Sequence, residues 1–177
     1  MSILSLKQES LSRPTPLSQR ATSPSVGWAA VGRNGRLYYS VCGDRWTEAT
    51  PSLQSKRAVF HTLTSKNGQI IAVGNRIAVS CDGMNWHTRL HFTDCVLNDI
   101  EYGNGTWMCA GSQGVRLFST DNGATWTHVQ VRDRATLCAI AFGNDRFVAV
   151  GATSAGQGIA HVSIDGQTGQ DIPVCTT

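Results

Sequence analysis

Apolar residues in this chain alternate with polar ones in short runs, and the runs repeat along the sequence. Three segments, 60–74, 97–111 and 137–151, align without gaps when they are counted back from a shared final glycine. A fourth, shorter copy covers 27–32. The aligned turn residues between the alternating runs are Asn67, Asn104 and Asn144. Alternation on both sides of an Asn-centred turn predicts a β-hairpin in each copy.

A second motif follows each shared glycine. It starts at a serine, and its copies cover 40–46, 80–86, 119–126 and 163–169. The four serines are 40, 39 and 44 residues apart, which is the length of one four-stranded propeller blade. The sequence therefore predicts an all-β fold, a small β-propeller of about four blades with four antiparallel strands each.

The N-terminal region has a different composition from the repeats. Residues 1–25 contain seven Ser and three of the five Pro, and they carry too little apolar surface to fold alone. We predict a flexible, disordered or extended arm over 1–25 and a propeller domain over 26–177. Because no inner strand is recognisable just before Gly27, we expect one of two arrangements. Either a strained ring closes with a three-stranded first blade, which we favour as a monomer, or an open arc is completed by another copy.

Composition and charge exclude several classes of protein. Hydrophobic residues make up 41% of the chain and charged residues 15%, and the net charge of +3 is too small to imply nucleic-acid binding. No apolar run is long enough for a membrane helix. The first residues do not resemble a secretory signal, so we expect synthesis in the cytoplasm. The six cysteines are dispersed without a C-x-x-C pair, and we interpret them as thiols rather than disulfides.

The second motif resembles the Asp-box of bacterial neuraminidase repeats, S-x-D-x-G-x-x-W, most closely in the copy at 119–126. In the family this turn joins the third and outermost strands, on the face away from the active site. The Asp can accept backbone N–H bonds, the Gly permits a positive φ and the Trp packs between strands. Cys42 replaces the Asp in the first copy, and Gly169 replaces the Trp in the last. The residues expected to hold these turns are Ser40, Trp46, Ser80, Asp82, Gly83, Trp86, Ser119, Asp121, Gly123, Trp126, Ser163, Asp165 and Gly166.

The sequence lacks the chemistry of a sialidase. The Phe/Tyr-Arg-Ile-Pro signature of that family is missing, and Glu101 and Tyr102 are neighbours that a strand would point to opposite faces. His87 and His91 have metal-ligand spacing only on a helix, whereas the preceding turn motif predicts a strand that separates them by about 13 Å. We therefore expect no catalytic residue, metal or cofactor, and a protein that is not an enzyme.

The remaining candidate site is a binding face. The Asp-box resemblance places the loops between blades, and those between second and third strands, opposite the turn motifs. Basic residues predominate there: Arg33, Lys56, Arg57, Arg76, Arg132 and Arg134. Such a patch favours an anionic partner, either an acidic protein surface, a charged glycan or a phosphate backbone, although ordinary solvated loops carry similar charge. Nucleic acid is not expected, because these loops have no stacking aromatic residues.

Short Asp-box propellers that follow a Ser/Pro-rich arm resemble small repeat proteins of tailed-phage structural gene clusters. That resemblance implies a non-catalytic scaffold in a virion, as a tail, collar or capsid-associated component. Its partners would be other structural proteins, held through residues 1–25, with no membrane involved. The alternative is a carbohydrate-binding module for host-surface adsorption, and a glycosidase is a distant third.

Overall fold

The structure is a computed structural model that describes residues 2–5, 26–49, 57–92, 94–129 and 134–174. Its strands form four four-stranded antiparallel sheets, which are the blades of a four-blade β-propeller. The predicted fold class is confirmed. No helix in the described part of the chain is long and apolar enough to span a membrane.

Each blade uses four strands that are consecutive in the sequence. Blade 1 contains β1 (Ser2–Ser5), β2 (Trp28–Val31), β3 (Leu37–Ser40) and β4 (Thr47–Glu48). Blade 2 contains β5 (Phe60–Lys66), β6 (Gln69–Gly74), β7 (Arg76–Ser80) and β8 (His87–His91). Blade 3 contains β9 (Leu97–Gly103), β10 (Thr106–Gly111), β11 (Arg116–Ser119) and β12 (Thr127–His128). Blade 4 contains β13 (Thr136–Gly143), β14 (Arg146–Ala152), β15 (Gly158–Ser163) and β16 (Gly169–Pro173).

The N-terminus differs from the sequence-based expectation. Strand β1 pairs antiparallel with β2, with Ser2 opposite Val31 and Ser5 opposite Trp28. The expectation of a three-stranded first blade is therefore wrong, and these four residues of the predicted arm belong to a sheet. The physical reason is that β2 would otherwise leave a row of backbone groups without partners, and a distant segment can satisfy them as well as a near one. Residues 6–25 of the predicted arm lie outside the described residues.

In blades 2, 3 and 4, the shared glycine sits where two backbone segments almost touch. A Cβ atom on Gly111 would lie 1.9 Å from the carbonyl oxygen of Val96, which no side chain can tolerate. A Cβ atom on Gly74 would likewise lie 1.9 Å from the Val59 carbonyl oxygen, and one on Gly151 would lie 1.9 Å from the Thr136 carbonyl oxygen. Each contact accompanies a register shift between the first and second strands of its blade. The glycine therefore lets the segment entering a blade cross the end of the second strand.

Three apolar clusters hold successive blades together. The first joins blades 1 and 2 through side chains that include Val31, Phe60 and Trp86. The second joins blades 2 and 3 around Ile71, Leu97 and Trp107. The third joins blades 3 and 4 around Met108, Leu137 and Phe147. In blades 2 and 3, alternate residues of the second strand therefore face the preceding and the following blade, as the two-residue period of a strand requires.

Candidate functional site

The turn motifs connect the third and fourth strands of each blade, and in blade 3 their polar groups pair within the turn. The Asp121 carboxylate accepts bonds from the Ser119 hydroxyl (2.8 Å), the Thr125 amide (2.9 Å) and the Thr125 hydroxyl (2.5 Å). The Gly123 amide donates to Ser119 Oγ at 2.9 Å, and the Trp126 indole N–H donates to the Gly123 carbonyl at 3.2 Å. Bonds from Thr125 lower the pKa of Asp121 to about 2, so the carboxylate stays ionised.

The same arrangement recurs in blade 2. Asp82 Oδ1 accepts from the amides of Met84 (2.8 Å) and Asn85 (2.7 Å), and the Trp86 indole N–H donates to the Gly83 carbonyl at 2.9 Å. Burial alone would raise the pKa of Asp82, but the bonds from Asn85 lower it below its usual value. The Trp86 side chain is 2% exposed, so the turn also anchors a large core residue.

Blades 1 and 4 keep the turn with altered residues. In blade 1 the Cys42 thiol donates to the Asp44 carboxylate, and the Trp46 indole N–H donates to the Gly43 carbonyl at 3.0 Å. In blade 4 Asp165 Oδ1 accepts from the Thr168 amide at 2.8 Å, although a glycine stands where the tryptophan would be. In the four motifs the bonds of the serines and carboxylates stay within the turn. Asn122 of blade 3 also accepts from the Trp107 indole N–H at 3.2 Å and donates to the Asn67 carbonyl of blade 2 at 3.3 Å. This end of the propeller therefore has the chemistry of a support.

At the opposite end, the loops between strands bind the loops between blades. Asn75, between β6 and β7, accepts from the Val59 amide at 2.9 Å and donates to the Arg57 carbonyl at 2.7 Å. Arg33, between β2 and β3, forms a backbone bridge with Val59. These bonds bring the loop residues of blades 1 and 2 together, and the half-buried Arg76 directly follows Asn75.

A shallow concavity of about 240 Å³ opens in this loop region, and it is lined by Val31, Gly32, Arg33, Arg36 and Tyr38. The two arginines are exposed and flank a tight turn whose central residues both have positive φ. Arg36 Nη1 donates to the Tyr38 hydroxyl at 3.0 Å. That bond raises the pKa of Arg36, and a guanidinium group is charged throughout the relevant pH range in any case. We call Arg33, Arg36, Tyr38 and Arg57 the basic loop surface.

The predicted binding residues are only partly brought together. Arg33, Arg57 and Arg76 lie on the loops of blades 1 and 2, whereas the exposed Arg134 lies on the loop that enters blade 4. Lys56 and Arg132 lie outside the described residues. Sequence reasoning missed Arg36 and Tyr38. The available signal was the Asn34-Gly35 pair, a hairpin turn that sets the arginines on either side of it close together.

A second cluster, also missed from the sequence, lies between blades 3 and 4. Arg116 Nη2 and His161 Nδ1 both bond to Asp171 Oδ1, at 3.2 Å and 2.6 Å. Arg116 and His161 are buried, at 2% and 4% exposed. Burial lowers the pKa of His161, and it outweighs the opposing bond from Asp171. Because Asp171 bonds to a buried residue of each blade, Arg116 of blade 3 and His161 of blade 4, the cluster acts as a brace between the two blades.

The histidines considered as metal ligands lie as the turn motif predicts. His87 and His91 are the first and last residues of β8, the outermost strand of blade 2, and both are exposed. Within the described ranges, no three His, Cys, Asp or Glu side chains lie close enough together to hold a metal ion.

Comparisons with known proteins relate the chain to others by fold. No family model matches the chain, and no curated protein matches it. Among solved structures, YCF48 bound to a D1 peptide superposes with a TM-score of 0.61 and 18% identity. The match covers 83% of this chain and 50% of that chain. A GH74 enzyme of Niastella koreensis has 19% identity to this chain and a TM-score of 0.41. That match covers 81% of this chain and 23% of the enzyme. The chain thus spans half the length of YCF48 and shares with it the β-propeller fold.

Proposed function

We propose that this protein is a non-catalytic β-propeller scaffold that binds an acidic segment of another protein through the basic loop surface. The observation that carries the proposal is the open concavity between Arg33 and Arg36, with Tyr38 in its wall. Guanidinium groups bind carboxylates through paired N–H donors, and a tyrosine ring adds a flat apolar surface beside them. The concavity therefore has the donors that an acidic peptide requires.

The contrast between the two ends of the propeller supports this assignment. At the turn motifs most charged groups are carboxylates whose bonds remain inside the turn, as with Asp82 and Asp121. At the loop end the exposed charges on blades 1 and 2 are mainly guanidinium groups. YCF48, which has the same fold, is bound to a peptide in its structure. A peptide ligand is thus within the capacity of this architecture.

A fluorescently labelled ten-residue glutamate peptide tests the proposal by anisotropy. The double variant Arg33→Ala with Arg36→Ala should weaken binding at least tenfold, or about 1.4 kcal/mol. Arg45→Ala is the matched control, because Arg45 is exposed on the same blade within the turn motif, and it should leave the affinity unchanged. Binding should also weaken with added salt, since exposed charges are screened. Equal affinities for wild type and the double variant would overturn the proposal.

A variant of Glu48 should change the affinity for the glutamate peptide in the opposite direction. Its carboxylate lies opposite Tyr38 on the neighbouring strand and interacts electrostatically with Arg36. Removing that charge in Glu48→Gln should strengthen binding of the glutamate peptide. The peptide then no longer competes with the Glu48 carboxylate for Arg36, and that carboxylate no longer repels it. An unchanged or weaker affinity in this variant would place the peptide elsewhere on the molecule.

The sequence resemblance adds a finer proposal about context. We propose that the scaffold is a virion component of a tailed phage, made in the cytoplasm and held to other structural proteins through the part of residues 1–25 that does not form β1. The support for this step is the resemblance of the repeats and the arm, and co-purification with intact particles tests it. Saturable binding to neutral glycans that survives the double arginine substitution would instead favour the carbohydrate-binding alternative.

A further inference from the structure

One face of blade 4 is apolar and exposed. Among the described residues, four of the six exposed large hydrophobic side chains belong to it: Val148 (38% exposed), Val150 (44%), Ile172 (45%) and Val174 (51%). Strand pairing places Val150, Ala160 and Ile172 in one row across three adjacent strands, so they point to the same side. The opposite side of β14, with Phe147 and Ala149, packs against blade 3.

Alignment of the four repeats shows which surface of the other blades is equivalent to this face of blade 4. Counted from the shared glycine, Val148 and Val150 occupy the positions that face the following blade elsewhere in the chain. The equivalent residues are Ala29 and Val31 in blade 1, Ile71 and Val73 in blade 2, and Met108 and Ala110 in blade 3. All six are between 0% and 1% exposed. The face of blade 4 is therefore half of a blade–blade interface.

The other half of such an interface lies on blade 1. By the same alignment Trp28 and Ala30 occupy the positions that pack against a preceding blade, as Phe147 and Ala149 do in blade 4. Ala30 is buried, whereas Trp28 and Tyr38 on this face are half-buried. The apolar clusters of the described residues join blade 1 to 2, 2 to 3 and 3 to 4, and none of them joins blade 4 to blade 1.

We infer that the face of blade 4 binds the Trp28 face of blade 1 in a second copy of this chain. The contact is head-to-tail, and two such contacts close a ring of two copies. The ring then has eight blades, which is within the range of known propellers. The second copy is the occupant because it presents the surface that continues the existing series of blade–blade interfaces. This inference rests on the blade faces and not on the peptide-binding proposal, although Tyr38 of the Trp28 face also lines the concavity of the basic loop surface.

Light scattering after size exclusion of the full chain tests the inference. Wild type should have twice the monomer mass, and Val150→Glu should have the monomer mass. Ile164→Glu is the matched control, because Ile164 is 61% exposed on the same blade but lies in the turn motif, and this variant should remain a dimer. A monomeric wild type, or a dimeric Val150→Glu variant, would overturn the inference.

A variant on the other face tests the head-to-tail orientation. Trp28→Glu should also be monomeric, whereas a symmetric contact between two blade 4 faces would leave it a dimer and contradict the inference. Mixing Trp28→Glu with Val150→Glu should restore a dimer, since the intact blade 4 of one meets the intact blade 1 of the other. This complementation also shows that both variants are folded. If circular dichroism shows that Trp28→Glu is unfolded, Tyr38→Glu on the same face replaces it.

Discussion

The two ends of this propeller use polar residues in different ways. At the turn end, Asp121 and its counterparts accept backbone N–H bonds from within their own turn. In blade 3 the Trp126 indole N–H also donates to the Gly123 carbonyl of the same turn. At the loop end, backbone amides are satisfied by neighbouring loops, which leaves the guanidinium groups of Arg33 and Arg36 exposed. The repeated turn motif therefore stabilises the fold, whereas the loop end, whose sequence varies between blades, carries the basic loop surface.

A repeat motif of this kind does not by itself carry an activity from one protein to another. The Ser-Asp-Gly turn does the same mechanical work in blades 2, 3 and 4, and in blade 1 it persists after Cys42 replaces the aspartate. A residue whose role is turn geometry carries no information about substrates. Variants of the turn motifs, of the glycine crossings and of the brace test the supporting role by stability, whereas variants of Arg33 and Arg36 test binding.

Truncating the buried tryptophan of a turn motif should have the largest effect on stability. Trp86→Ala removes a side chain that is 2% exposed and part of the cluster between blades 1 and 2. We expect a loss of about 3–5 kcal/mol in the free energy of unfolding, measured by chemical denaturation. His87→Ala, at the exposed neighbouring position, should cost less than about 0.5 kcal/mol. Equal stabilities for the two variants would contradict the supporting role of the turn.

The shared glycines give a test at the loop end. Gly111→Ala should destabilise the protein by about 3 kcal/mol, because its Cβ would lie 1.9 Å from the Val96 carbonyl oxygen. Gly32→Ala is the matched control at the equivalent position of blade 1, where a Cβ meets nothing within 4 Å. It should melt close to wild type. A neutral Gly111→Ala variant would show that the crossing does not require glycine.

Removing one turn carboxylate should have a moderate effect. Asp121→Ala leaves the Thr125 amide without its acceptor, but the site is exposed, so we expect a loss of about 1 kcal/mol. Because the pKa of Asp121 is about 2 in the folded protein and lies higher in the unfolded chain, the stabilisation is present at neutral pH and is lost as pH falls toward 2. Thr120→Ala, an exposed neighbour, is the control. A variant as stable as wild type at pH 7 would refute this assignment.

The brace between blades 3 and 4 should respond to mild acid. The pKa of His161 is lowered by burial, so the unfolded chain binds more protons as pH falls through about 6.5. The melting temperature should therefore decrease between pH 7.5 and 5.5. In His161→Gln that decrease should be smaller, since the other four histidines are exposed. An identical pH dependence in both proteins would mean that His161 does not titrate in this window.

The sequence predicted the fold well because its signals are local and periodic. The serines at one-blade spacing fix the third-to-fourth-strand turns, and the Asn67, Asn104 and Asn144 turns fix the first hairpins of blades 2, 3 and 4. Strand β1 could not be recognised in the same way. It consists of four residues, lacks any repeat signature, and its pairing with β2 depends on an edge that is more than twenty residues away in sequence.

The candidate sites were harder to predict because they depend on packing between distant segments. Arg116, His161 and Asp171 come from three strands of two blades, and no spacing in the sequence relates them. Arg33 and Arg57 were predicted to share a face, and that follows from the alternation of loops at the two ends of a blade. The neighbouring pair of Arg36 and Tyr38 needed the actual turn geometry, which sets the guanidinium group against the phenol.

Hydrogen exchange with and without the glutamate peptide distinguishes the binding end from the supporting end, since it reports on both ends of the propeller in one experiment. We expect slower exchange of amides at residues 32–38 and 57–60 in the presence of the peptide. Amides of the turn motifs at 80–86 and 119–126 should exchange at unchanged rates. Protection that appears at the turn motifs, or that is missing from the basic loop surface, would contradict the account.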